Sequence, residues 1–465
     1  MKNSTINARR RQLLALSAKA SLLGAFGSIG LAPGIARAAL STNASVTDYK
    51  ALVCVYLFGG NDGNNMVVPL DATRYAQYQQ IRGSSGLALS QSAKTLLGTH
   101  SSQLRATSNS VLQDFAFHYG MPELDALYGQ GKLALVLNAG SLTQPTTKAD
   151  FQAGRNLPPQ LFSHSDQQLQ MQAGGASNGG TGWGGRLVDL LGTGGHLDAV
   201  GMSSGGLFIE GKTSHGNLLP NDGQLELYGM DFWPQKEADA RKAALRKILA
   251  ADRGNVVANA ANKALAGGMD LIDELKAAEA GGAVQTVFPE TGLGRQLKTV
   301  AQLIHLRASQ GPGRQVYFVS QGGFDTHGGQ SYQQFDMLSQ VSAAMAAFYN
   351  AMNEVGANNN VTSFTLSDFG RTLQPNSGGT DHAWGNHQIV LGGAVQGGLY
   401  GRFPDFTLGG ADDATGRGAW IPQFSNQHFG ARLGKWFGAD PATLDSQVFH
   451  GELSRFALQD LGFMG

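Results

Sequence analysis

One cysteine among 465 residues excludes a disulfide scaffold, and a charged fraction of only 15% excludes a disordered or polyelectrolyte chain. Aromatic residues are modest at 8%. Long hydrophobic runs are missing as well. The best candidate lies near the N-terminus and is interrupted by Ser17, Lys19, Ser21 and Ser28, short of the ~18 uninterrupted apolar residues that suit a span. What the chain has in quantity is glycine, 65 residues, about twice the usual share of roughly 7%. So many glycines imply tight turns and close backbone approaches, a loop-rich α/β scaffold rather than a helical bundle. The length and the 42% hydrophobic content are enough to bury a large core.

The charge balance of 34 Lys+Arg against 34 Asp+Glu hides an asymmetry. The first 38 residues carry Lys2, Arg9, Arg10, Arg11, Lys19 and Arg37, no acid, and a mild apolar run from Leu13. They end in Ala36-Arg37-Ala38, small residues where a signal peptidase reads. Arg10-Arg11-Gln12-Leu13-Leu14 resembles a twin-arginine export signal, so cleavage before Ala39 and delivery to the periplasm or beyond are expected, with the export machinery as partner. The competing reading is an N-terminal anchor. Removing those six cations from 34 leaves 28 Lys+Arg against 34 Asp+Glu, about −6. With no later Lys/Arg run, nucleic acid is not an expected partner, nor is a membrane span once the signal is gone. Cys54, in Leu52-Val53-Cys54-Val55-Tyr56, reads as a buried small hydrophobe.

Apolar runs at 51–58, 133–138, 316–320, 363–366 and 389–391 read as buried strands. Helical spacing recurs at 122–128, 166–172, 295–308 and 335–355, the last with Met337, Leu338, Val341, Met345, Phe348 and Met352 on one face. Such alternation predicts a layered α/β fold, residues 39–465 forming one domain. An Ala-, Lys- and acid-rich stretch at about 234–280 predicts a helical insertion. The Gly-rich segments 175–230 and 396–425 read as loops.

Four polar clusters lie at or near strand ends, where open α/β sheets bind ligands. They are Gly59-Gly60-Asn61-Asp62-Gly63, Phe324-Asp325-Thr326-His327-Gly328, Ser367-Asp368-Phe369-Gly370-Arg371 and Thr380-Asp381-His382-Ala383. Each has a plain alternative: Asp62 as a turn residue, Asp325 and His327 as loop hydrogen bonders, Asp368 as a cap or partner of Arg371, Asp381-His382 as supporting residues. Together, carboxylates and imidazoles at several strand ends favour a divalent metal centre. In Phe162-Ser163-His164-Ser165-Asp166-Gln167-Gln168, Ser165 and Gln168 form a capping-box pattern. Ser163 is the candidate nucleophile, its alkoxide favoured by the helix dipole, and His164 a candidate ligand or donor to the same anion. Arg371 is either an oxyanion clamp or a salt-bridge partner. His118, His196, His215, His305, His428 and His450 have no partner motif and read as structural.

The twin-arginine start, Phe58-Gly59-Gly60-Asn61-Asp62-Gly63-Asn64-Asn65-Met66, Ser163-His164, Phe324-Asp325-Thr326-His327, Ser367-Asp368-Phe369-Gly370-Arg371-Thr372 and Asp381-His382 with Leu391-Gly392-Gly393 resemble the family of exported bacterial proteins called domain of unknown function 1501. That family is similar in motif order to the alkaline phosphatase and sulfatase superfamily. The resemblance implies a three-layer α/β sandwich with a mixed, mostly parallel sheet flanked by helices. It implies a two-metal centre with Asp62 as first acid, Ser163 as nucleophile, Asp325 and His327 as middle ligands, Asp368 as late acid and His382 as last histidine. Two departures stand out. Phe369 replaces an expected imidazole, with Asp381 as a substitute ligand or the second metal lost, and the sulfatase nucleophile motif is missing.

The expected function is an exported hydrolase of phosphate or related esters, acting through Ser163 or a metal-bound water with one or two divalent ions, zinc first, then manganese, magnesium or calcium. The alternative is a non-catalytic exported binding or assembly protein on a degenerate version of the same fold. A serine hydrolase lacking the Gly-x-Ser-x-Gly elbow is the weaker third reading.

Overall fold

The computed structural model describes residues 46–465 except 108–110, 176–179, 196, 203–204, 221–229, 231–232, 252–253, 281–283, 309–310 and 457–460. The expected leader at 1–38 and His196 lie outside the described residues.

Strand β1 (Tyr49–Leu57) is apolar at nearly every position because both of its faces are covered. Ala51, Val53, Val55 and Leu57 enter one core, while Leu52, Cys54 and Tyr56 enter the other. The same period of two sends Tyr317 and Val319 of β8 (Gly313–Gln321) to the first core and Val316 and Phe318 to the second. In chain order the strands are β1, β2 (Val67–Pro69), β3 (His100–Arg105), β4 (Leu112–Phe117), β5 (Leu133–Gly140), β6 (Ala199–Met202), β7 (Asn217–Leu219), β8 (Gly313–Gln321), β9 (Val361–Ser367), β10 (Asn386–Gly392), β11 (Gly398–Tyr400) and β12 (Phe424–Ser425). They form one sheet in the order β2-β4-β3-β11-β5-β10-β9-β1-β8-β6-β7, with β12 on β5. Pairing is parallel through β9-β1-β8-β6-β7 and antiparallel where β10 meets β5 and β9.

Nine longer helices follow the same logic among the described residues: α1 (Ala72–Arg82), α2 (Pro122–Gly129), α3 (His164–Ala173), α4 (Trp183–Leu191), α5 (Gln235–Leu249), α6 (Val256–Ala280), α7 (Gly292–Ala308), α8 (Gln330–Glu354) and α9 (Asn426–Phe437). Leu124 of α2, Leu297 and Val300 of α7 and the expected Met337-to-Met352 stripe of α8 cover one face of the sheet. Met171 of α3, Trp183 and Leu187 of α4, and Phe429 and Leu433 of α9 cover the other. Helix, sheet, helix is the three-layer α/β sandwich. Across the stretch read as a helical insertion, α5 and α6 are joined by Arg246, which bridges Asp270 and Asp273. No helix among the described residues is long and apolar enough to cross a membrane.

Two expectations need correction. The 175–230 stretch is not all loop: it holds α4, β6 and β7. Its glycines mark close packing, since a Cβ on Gly184 would lie 2.5 Å from the Phe208 ring and one on Gly185 2.2 Å from the Glu210 backbone. Likewise 396–425 contains β11 and β12.

Three histidines are buried as neutral groups. Burial pulls the pKa of His118, His387 and His428 down from 6.5 to about 4, with Asp62 opposing at the first two. Between those limits the unfolded chain binds a proton that the native chain refuses. Stability is therefore expected to fall as pH drops from about 6.5 towards 4, by up to about 1.4 kcal/mol per pH unit for each histidine. Urea midpoints at several pH values check this, and His387→Gln should flatten the slope.

Candidate metal centre

Because β9, β1 and β8 are parallel neighbours, their carboxyl ends open on one edge of the sheet. The loop after β8 carries Asp325 and His327, the loop after β9 carries Asp368 to Arg371, and His382 precedes the antiparallel β10. Glycines let these loops touch: at Gly59 (φ +111°) a Cβ would sit 2.4 Å from the Asp325 nitrogen, and at Gly60 (φ +83°) one would sit 2.6 Å from the Phe369 ring. Opposite them, His164 opens α3, with Ser163 as its extended N-cap residue. The N-cap thus lies two residues before the Ser165 cap read from the sequence. The Ser163 hydroxyl makes no capping bond and donates to Asp166 Oδ2 at 2.6 Å.

His164, Asp325 and His382 each bring a ligand atom within 4.8 Å of the others. His327 joins them, its Nε2 lying 3.0 Å from both Asp325 Oδ1 and His382 Nε2. His382 Nε2 is 3.3 Å from the same oxygen, and His164 Nε2 is 3.4 Å from Asp325 Oδ2. Ligand atoms held about 2.0–2.1 Å from a tetrahedral zinc stand about 3.3 Å apart.

The far side of each ring decides what the near side offers. His164 Nδ1 is 2.6 Å from Asp368 Oδ2, His327 Nδ1 is 3.2 Å from Asp381 Oδ1, and His382 Nδ1 is 2.8 Å from the Phe162 carbonyl. A carboxylate or a carbonyl only accepts, so each Nδ1 donates, and in the neutral form of each ring the lone pair of Nε2 faces Asp325. His164 Nε2 is buried without a hydrogen-bond partner. The Nε2 atoms of His327 and His382 stand 3.0 Å apart, a separation that suits a shared cation, proton or metal ion, between them. This donor set fits a divalent ion. Phe162 supplies its carbonyl from a left-handed φ of +73°, a strained conformation for a bulky residue.

Partial burial pushes the Asp325 pKa up, but the hydrogen bond and charge of Arg371, then His327 and His164, hold it below the usual carboxylate value. Burial lowers the His382 pKa against the opposing Phe162 carbonyl. Burial first, then the charge of Asp368, raises the Tyr56 hydroxyl.

Several residues expected at the metal do other work. Asp62 is buried in an ion pair with Arg82 at 2.6 Å, and also accepts from the Asn64 backbone and Gln330. Asp368 Oδ2 accepts from His164, Gln168 and the Gly59 amide, holding the imidazole from behind. Asp381 stands behind His327 and pairs with Arg417. Arg371 pairs with Asp325 rather than with Asp368. Its buried guanidinium binds Asp325 Oδ1 at 3.0 Å, the Gly59 carbonyl at 2.9 Å and Thr380. Phe369 packs 4.8 Å from both the His164 and the His382 ring. Arg82, Gln330 and the Phe162 carbonyl had no sequence signal pointing to the site; Gln168, read only as part of a capping box, could have been found from its one-turn spacing to His164.

Fold and site together define a three-layer mixed α/β protein with a histidine-rich, metal-competent centre at the carboxyl edge of its parallel strands. The chain belongs to the family described as Protein of unknown function (DUF1501), whose model matches residues 49–416. No curated protein matches it. Among solved structures it is similar to one titled "Crystal structure of Ps i-CgsB in complex with k-i-k-neocarrahexaose", at 9% identity over 84% of this chain and 72% of that one, with a TM-score of 0.33.

Removing the cation beneath the site tests its foundation. Arg82→Met leaves Asp62 charged and unpaired in the interior, and is expected to cost about 3–5 kcal/mol in a urea titration. Arg155→Met, whose guanidinium is 65% exposed, should cost under about 1 kcal/mol.

Proposed function

We propose that this protein is an exported, metal-dependent hydrolase of phosphate or related esters, related to the alkaline phosphatase-like superfamily. It leaves the cytoplasm by the twin-arginine route and works in the periplasm or outside the cell as one catalytic unit from Ala39 onward. The observation that carries this reading is the inward-facing imidazole trio: three Nδ1 atoms anchored from outside and three Nε2 atoms turned to one carboxylate. His164, Asp325, His327 and His382 would hold the ion, with zinc the best match to nitrogen-rich ligands. Such an ion polarises an ester oxygen and lowers the pKa of water.

The chain's own residues supply the rest. Ser163 adjoins the ligand His164, and its Oγ proton already points to Asp166 Oδ2. Asp166 would take that proton as Oγ bonds to phosphorus and the ester P–O bond breaks to release the alcohol, water then hydrolysing the Ser163 ester, and the N-terminal end of α3 would stabilise the alkoxide. Phe369 shields the outer faces of His164 and His382 from water. The same Phe369, standing where relatives of this superfamily have an imidazole, favours the second reading, a non-catalytic binding or assembly protein.

Metal analysis of the chain from Ala39, purified without chelator, decides between them. The hydrolase is expected to carry a divalent ion that is lost in His164→Ala and His382→Ala while the fold persists. A panel of phosphomonoesters, phosphodiesters and sulfate esters should then reveal turnover. Ser163→Ala should keep the metal and lose about 10²–10⁴-fold in rate; an unchanged rate would transfer the attack to water. Folded, metal-free protein would reject the hydrolase.

A further inference from the structure

We infer that the centre holds one divalent ion, and that the guanidinium of Arg371 occupies the place of a second cation. The inference rests on the hydrolase reading and departs from the two-metal centre that the superfamily resemblance implies. A carboxylate bridging two ions gives one oxygen to each. Here Asp325 turns Oδ2 towards His164 and shares Oδ1 among His327, His382 and Arg371, the last at 3.0 Å. Arg371 cannot swing away to admit an ion. Its side chain is fully buried, and Nε and Nη2 are tied to Thr380 while Nη1 also donates to the Gly59 carbonyl at 2.9 Å.

Two of the carboxylates that a second ion needs have both oxygens engaged elsewhere. Asp62 lies in a buried pair with Arg82, and both its oxygens accept from that guanidinium. Asp381 gives one oxygen to Arg417 and the other to Asn376 and His327. Of the four candidate acids, Asp62, Asp325 and Asp381 each carry a guanidinium partner, and Asp368 instead faces the His164 imidazole. The centre therefore keeps about one uncompensated negative charge. One dication reverses it modestly, whereas two would crowd three net positive charges beside Arg371. Phe369 removes the remaining position from which a further imidazole could coordinate.

The test is a stoichiometric titration of the chelator-treated full chain with zinc chloride alone, read by calorimetry and by elemental analysis after gel filtration. The expected result is one equivalent of zinc. Arg371→Lys, which keeps the charge, and Asp62→Asn are both expected to retain that equivalent, with circular dichroism confirming the fold. Two equivalents in the unaltered protein would overturn the inference and leave the hydrolase reading intact. Loss of bound metal in folded Asp62→Asn would also overturn it, since Asp62 would then be a ligand. No binding in the unaltered protein would overturn both readings.

Discussion

A guanidinium removed from water must find an acceptor for nearly every donor, and that demand on Arg371 organises the mouth of the sheet. Its partners come from three separate segments: Gly59 after β1, Asp325 after β8 and Thr380 ahead of β10. Arg82 does the same one layer deeper, linking Asp62 to the carbonyls of Thr372 and Leu373. Moving any one loop would strand a buried charge, so the loops hold one another in place. The strands supply the direction of the chain, and the two arginines fix the lateral register of the loops beyond the strand ends.

Within that frame each imidazole is fixed from a different quarter. Asp368 comes from the sheet, Asp381 from the loop before β10, and the Phe162 carbonyl from the approach to α3. Phe369 sets the ring planes by packing against two of the three. Little freedom to reorganise is left to these rings. Yet the side chains of Asp325 and His327 remain 46% exposed, so the rigid centre stays open on one side. Preorganisation with access is what catalysis at a bound ion requires.

The central strands were readable in the sequence because burial on both faces writes an uninterrupted apolar run, as in Leu52-Val53-Cys54-Val55. Strands β3 and β4, towards one side of the sheet, were not, since Ser101, Gln103 and Asp114 face solvent and look like loop. Helix α4 was hidden by Gly184 and Gly185, where contact with Phe208 and Glu210 forbids a side chain. At the centre, the strand-end position of Asp325, His327 and His382 was legible from composition. Partner choice was not: nothing local says that Asp62 pairs with Arg82 rather than with an ion, or that Arg371 reaches back to Asp325 instead of Asp368. Those pairings are decided by which loops the sheet order brings together.

The separations involved also set a timetable. His164 meets Asp368 across 204 residues, and the Phe162 carbonyl meets His382 across 220. Closing such long loops is entropically costly, and contacts of this range form late in folding. During synthesis the early β1 loop, with Gly59 and Asp62, must wait for the last third of the chain before Arg371 and His382 exist to meet it. The centre is in this sense a completion mark: a chain stalled or cut before His382 has strands and helices but an incomplete imidazole cluster.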